Sequence, residues 1–142
     1  MKFQKAHIEG AQYDFSFSGL KSAVLNYING CKMKGESFDP ADIAASFQKA
    51  VVEVLVENSM RAAEDYGVYK FAIAGGVASN TALREAMEQA CKEREIRFYR
   101  PSPIYCTDNA AMIGAAAYYE YLAGTRHGWD LNAVPNLKLG ER

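Results

Sequence analysis

The chain has 142 residues, 49% of them hydrophobic and 23% charged, the balance of one soluble globular domain long enough to bury a core. Sixteen Lys and Arg stand against 17 Asp and Glu, and the resulting net charge of −1 excludes a dedicated basic nucleic-acid module; an RNA partner must be held by a local patch or by another part of a larger assembly. Three widely spaced cysteines, Cys31, Cys91 and Cys106, exclude a disulfide framework and a zinc knuckle, and they suit reduced thiols in a cytoplasmic protein. The first eleven residues contain Lys2, Lys5 and His7 without an apolar run, so no signal peptide is expected. No stretch approaches the ~18 apolar residues of a membrane span.

The start is polar and turn-like (Glu9, Gly10, Gln12), as in a chain trimmed at a lobe boundary. The first helix is expected after Ser18 as N-cap, with Leu20, Val24, Leu25 and Ile28 at helical spacing, and Gly30 and Gly35 loosening the chain behind it. Asp39-Pro40 opens a longer helix, since Asp caps and Pro suits the first helical position. Ile43, Phe47, Ala50, Val51, Val54 and Leu55 mark its apolar face, and Gly67 is its natural stop after Tyr66. Lys70 to Ala74 reads as a short buried strand ending at Gly75-Gly76. A helix follows from about Asn80, with Leu83, Ala86, Met87 and Ala90 inward, and a second strand covers Ile96 to Tyr99. Pro101 and Pro103 bracket a loop, and a last helix is expected from Thr107-Asp108 to Gly124. This order predicts a single α/β domain over residues 1–142 with helices packed on a small sheet, or else a mostly helical domain with a minimal sheet.

Three segments could carry chemistry. In Ala74-Gly75-Gly76-Val77-Ala78-Ser79-Asn80 a strand ends in two glycines just before a helix. Glycines let backbone amides approach a ligand, and a helix N-terminus favours an anion. The Asn80 amide can donate and accept at once, as a ribose or base edge requires. The competing reading is a tight turn with Ser79 or Asn80 as cap; a Walker A loop is excluded, because no Gly-Lys-Ser/Thr follows. In Thr107 to Met112, Thr107 is the expected N-cap, and Asp108 either offsets the helix dipole or ligates a metal with help from elsewhere. In Asp14 to Lys21, Phe15 and Phe17 alternate with Ser16 and Ser18 as on a half-buried extended segment, and Ser18 and Lys21 could reach a polar ligand.

Other candidates are weaker. His7 and His127 lack a second histidine at ligand spacing. Arg84 to Arg100 interleaves Lys92, Arg94 and Arg97 with Glu85, Glu88, Glu93 and Glu95, a solvated mixed face. The nine Tyr and seven Phe are expected mostly in core and edge packing.

The three segments, in this order, resemble the tRNA N6-adenosine threonylcarbamoyltransferase family in its bacterial branch, formerly called glycoprotease or O-sialoglycoprotein endopeptidase. The resemblance rests on Phe15 to Lys21, on Ala74 to Asn80 with Leu83-Arg84 behind, and on Thr107 to Gly114. It implies the carboxy-terminal lobe of a two-lobed fold of the actin, sugar kinase and Hsp70 type, with the amino-terminal lobe absent. It also implies transfer of a threonylcarbamoyl group from an adenylate to the N6 amine of the adenosine beside the tRNA anticodon. Gly75 and Gly76 match glycines that face the nucleotide phosphates, Asn80 matches an asparagine on the adenylate, and Asp108 matches an aspartate of a metal site for iron or zinc. Threonylcarbamoyl-adenylate or another adenine nucleotide is the implied ligand, and tRNA and partner subunits are the implied partners. The family's remaining metal ligands, a His-x-x-x-His pair, have no counterpart here, so the chain alone is expected to bind metal and nucleotide weakly and to be inactive. A metalloprotease is disfavoured because His-Glu-x-x-His is absent. A noncatalytic actin-like assembly module is disfavoured because Asn80 and Asp108 are both kept.

Overall fold

The structure is a computed structural model that describes Phe3 and residues 10–138. It divides into two compact units, Met1–Cys106 and Thr107–Arg142. The first unit holds α1 (Ser18–Lys34), α2 (Pro40–Asp65), β1 (Lys70–Ala72), a 3-10 turn (Gly76–Ser79), α3 (Thr81–Glu93), β2 (Arg97–Tyr99) and a second 3-10 turn (Pro103–Tyr105). The second unit holds α4 (Ala110–Leu122). β1 and β2 pair in parallel with Phe71 opposite Phe98, and α3 is the crossover between them. The α/β class with helices and a small sheet is therefore as expected.

Local chemistry sets most boundaries. The Asp39 carboxylate accepts from the Ala41 amide at 2.8 Å, and Pro40 takes the first helical position. At the far end of α2, Gly67 sits at φ 62° and the Val68 amide reaches back to the Ala63 carbonyl, closing the helix in a Schellman motif. α1 departs from expectation at both ends. Ser18 is its first helical residue, because Phe17 occupies the cap position with no side-chain bond. The helix also runs through Gly30 and stops at Gly35 (φ 68°). No strand forms over residues 14–17, although the Phe15 and Phe17 rings stack at 6.5 Å on one side of the chain, as their alternation with Ser16 and Ser18 suggests.

α2 is about 39 Å long and supports two apolar clusters. Towards its start, Ile43 and Ala50 pack with Phe3 and Leu20, and with the half-buried Val24, Ile28 and Phe38. Towards its end, Met60 and Ala63 pack with Leu83, Met87, Ala90, Cys91 and Ile96, with Phe71 and Phe98 of the sheet against them. The strand before the glycines is thinner than expected: only Lys70–Ala72 pairs, Phe71 is half-buried, and its neighbours are exposed, since two strands leave both edges open.

All three cysteines are buried free thiols. Burial pushes the Cys91 thiol up, with Arg94 opposing. The tyrosines depart from the expected core role: Tyr66, Tyr69, Tyr105, Tyr118, Tyr119 and Tyr121 are all exposed. In the charged stretch, Arg94 pairs with Glu64 and Arg100 with Glu88 (3.2 Å), as a mixed face should, whereas Arg84 is buried. His7 lies outside the described residues, and His127 is exposed. Among the described residues no helix is long and apolar enough to cross a membrane.

Candidate functional site

The glycine segment forms a connection between β1 and α3 that a residue other than glycine could not copy without strain. Gly75 takes φ 86° and ψ 172°, a region open in practice to glycine alone. A Cβ built there meets nothing within 4 Å, so the demand is conformational and the space in front of the turn is open. The Gly75 carbonyl accepts from the Ala78 amide and the Val77 carbonyl from the Asn80 amide, both at 3.0 Å. Ser79 Oγ donates to the Gly76 carbonyl at 2.6 Å and so stays inside the turn. Gly75 and Gly76 themselves are exposed.

Asn80 caps α3: its Oδ1 accepts from the Leu83 amide at 2.9 Å. Its Nδ2 donates to Oε1 of Gln48 on α2 at 2.8 Å, which fixes the plane of the amide. One acceptor lone pair and one N–H remain for a ligand. The cap role and a binding role are thus compatible in one side chain. Sequence reasoning missed Gln48, since nothing in a polar residue beside Phe47 announces a partner 32 positions away.

At the second segment the structure corrects the expected cap. Asn109, not Thr107, is the N-cap of α4; its Oδ1 accepts from the Met112 amide at 2.9 Å. Its Nδ2 donates to the Thr107 carbonyl at 2.9 Å. Asp108 therefore precedes the cap, and no acidic residue occupies the first turn of α4. Its carboxylate is exposed and is not needed as the cap. At the third segment, Ser18 and Lys21 lie on the first turn of α1, where Lys21 lines an apolar groove with Leu25, Ile43 and Phe47.

Among the described residues no group of three or more His, Cys, Asp or Glu comes together as a metal site. Cys106, close to Asp108 in sequence, already accepts from Arg84 and donates to the Ser102 carbonyl. Asp108 is one exposed carboxylate, and a single carboxylate does not make a metal site by itself.

The sequence profile of the TsaD family, tRNA N6-adenosine threonylcarbamoyltransferase, matches residues 1–115. The chain belongs to that family. It is 58% identical over all 142 residues to the tRNA N6-adenosine threonylcarbamoyltransferase of Clostridium botulinum (strain Hall), covering 42% of that protein. It is 64% identical over 129 residues, 91% of the chain, to the protein of the same name from Clostridium novyi (strain NT), covering 38% of it. The corresponding Clostridium kluyveri protein is 56% identical over 143 aligned positions. The chain thus spans about two-fifths of the length of these relatives. The match to 1–115 takes in the glycine turn, Asn80, Asp108 and Asn109.

Proposed function

We propose that residues 1–142 are the carboxy-terminal lobe of a two-lobed, actin-like transferase of the cytoplasm. Completed by its amino-terminal lobe, the enzyme moves a threonylcarbamoyl group from threonylcarbamoyl-adenylate to the N6 amine of the adenosine 3′ of a tRNA anticodon, together with partner subunits. The observation that carries this reading is the Gly75–Asn80 turn in a chain of this family: a glycine-only backbone with open space before it, followed directly by a capped helix.

In this reading the turn's backbone at Gly75 and Gly76 receives the phosphate of the adenylate, because no side chain stands between the amides and the ligand and the α3 terminus favours negative charge. Asn80 offers its remaining acceptor and donor to the nucleoside part, with Gln48 holding the amide plane. Asp108 would supply one carboxylate to a divalent metal, iron or zinc, which when bound serves as Lewis acid and template for the carbamoyl group. The rest of the site belongs to the missing lobe, so the chain alone has no transferase activity.

The test is reconstitution. The chain is combined with the amino-terminal region of the C. botulinum relative, and threonylcarbamoyl transfer to tRNA is assayed with wild type, Asn80→Ala and Asp108→Ala. Activity that collapses in both variants supports the assignment. Activity indifferent to both reduces Asn80 to a cap and Asp108 to a surface charge, and the reading of this site falls back to family resemblance alone. Turnover by the unreconstituted chain contradicts the two-lobe requirement.

A further inference from the structure

Behind the glycine turn lies a cation that none of the roles above uses. Arg84, on the first turns of α3, is only 7% exposed. Its Nε donates to the Ala78 carbonyl, inside the turn. One Nη2 donates to the Pro101 carbonyl at 2.8 Å and to Cys106 Sγ at 3.1 Å. The Cys106 thiol in turn donates to the Ser102 carbonyl, at 3.6 Å. Among the described residues no carboxylate pairs with Arg84.

A guanidinium withdrawn from water is costly unless its N–H groups and its charge are both answered. Here two carbonyls and a sulfur answer Nε and Nη2, and among the described residues no carboxylate answers the charge. A brace alone does not need that charge. An uncancelled cation held beneath a turn favours an anion above it, and a buried charge is screened far less than a surface one. The same fork ties the turn to the 101–106 segment, so the backbone that faces the ligand is held from behind.

We propose that Arg84 is a positioning residue of the nucleotide turn: it fixes the Ala78 carbonyl against the 101–106 segment, and its charge makes the Gly75–Asn80 turn select a phosphate-bearing adenine nucleotide over the neutral nucleoside. The inference rests on the nucleotide reading of that turn. Amide-resolved NMR titration of the 142-residue chain with AMP and with adenosine tests it, using wild type beside Arg84→Met, Arg84→Gln and Arg84→Lys. In the wild type AMP should shift the amides of Gly75, Gly76 and Asn80 and bind on the order of tenfold more tightly than adenosine. That preference should vanish in the Met and Gln variants and return with Lys, a pattern that loss of packing cannot produce. If the Met variant does not fold, the Gln and Lys pair decides. A wild-type preference that persists in the neutral variants overturns the role of Arg84 alone. A wild type whose turn amides do not respond to AMP overturns the nucleotide reading, and this inference with it.

Discussion

Two helix starts in this molecule are built with the same cap and otherwise differ. At α3, Asn80 accepts from the amide three residues on; at α4, Asn109 does the same. Behind the first lie a glycine at positive φ, a second amide partner in Gln48 and the buried Arg84. Before the second lies the exposed Asp108 carboxylate, and the Asn109 Nδ2 donates to the nearby Thr107 carbonyl. A cap satisfies the helix in either case. What surrounds it differs, and in the proposed reading the first start receives an anion and the second supplies a carboxylate to a cation.

The largest expected contrast lies in packing. Met87 of α3 is 2% exposed and Met112 of α4 is 46% exposed. Met87→Ala should cost about 2–5 kcal/mol in denaturant unfolding, and Met112→Ala less than about 0.5 kcal/mol. Comparable costs would break the contrast between a helix seated in the core and one with no buried side chain.

Next come the glycines. Gly75→Ala meets no atoms but must hold a positive φ, so it should destabilise by about 1–3 kcal/mol. Gly114, inside α4 and also unobstructed, should become about 0.5–1 kcal/mol more stable as Ala. Thermal unfolding of the two variants has to move in opposite directions.

The caps should differ less. Removing either asparagine amide should cost about 1 kcal/mol, with Asn80→Ala the worse because Gln48 also loses its partner. The smallest effect is in pH. The folded-state pKa of Cys91 is raised by burial, so the stability it contributes is complete below the ordinary thiol range and is lost as pH rises through the raised value. Cys91→Ala should flatten the alkaline fall in stability of the first unit, as read by denaturant midpoints across pH.

What could be read from sequence was mainly local. Asp39-Pro40 opens α2 and Gly67 closes it because capping chemistry acts within a few residues. The glycine turn and Asn80 were legible for the same reason. Thr107, Asp108 and Asn109 are three consecutive cap formers, and propensity cannot rank them; the choice falls to the residue whose oxygen reaches the right amide, which is Asn109. Arg84 reads as solvated among the charges that follow it, and only the tertiary fold puts Ala78, Pro101 and Cys106 around its fork. Gln48 was invisible for the same reason.

The most direct test of the contrast uses the two caps against each other in the reconstituted transferase. Asn80→Ala and Asn109→Ala are assayed well below their unfolding temperatures, with tRNA and threonylcarbamoyl-adenylate saturating for wild type. The account predicts that Asn80→Ala loses at least about tenfold in transfer, while Asn109→Ala stays within about twofold of wild type. Equal losses in the two variants, or full activity in Asn80→Ala, would contradict it and leave Asn80 a helix cap and nothing more.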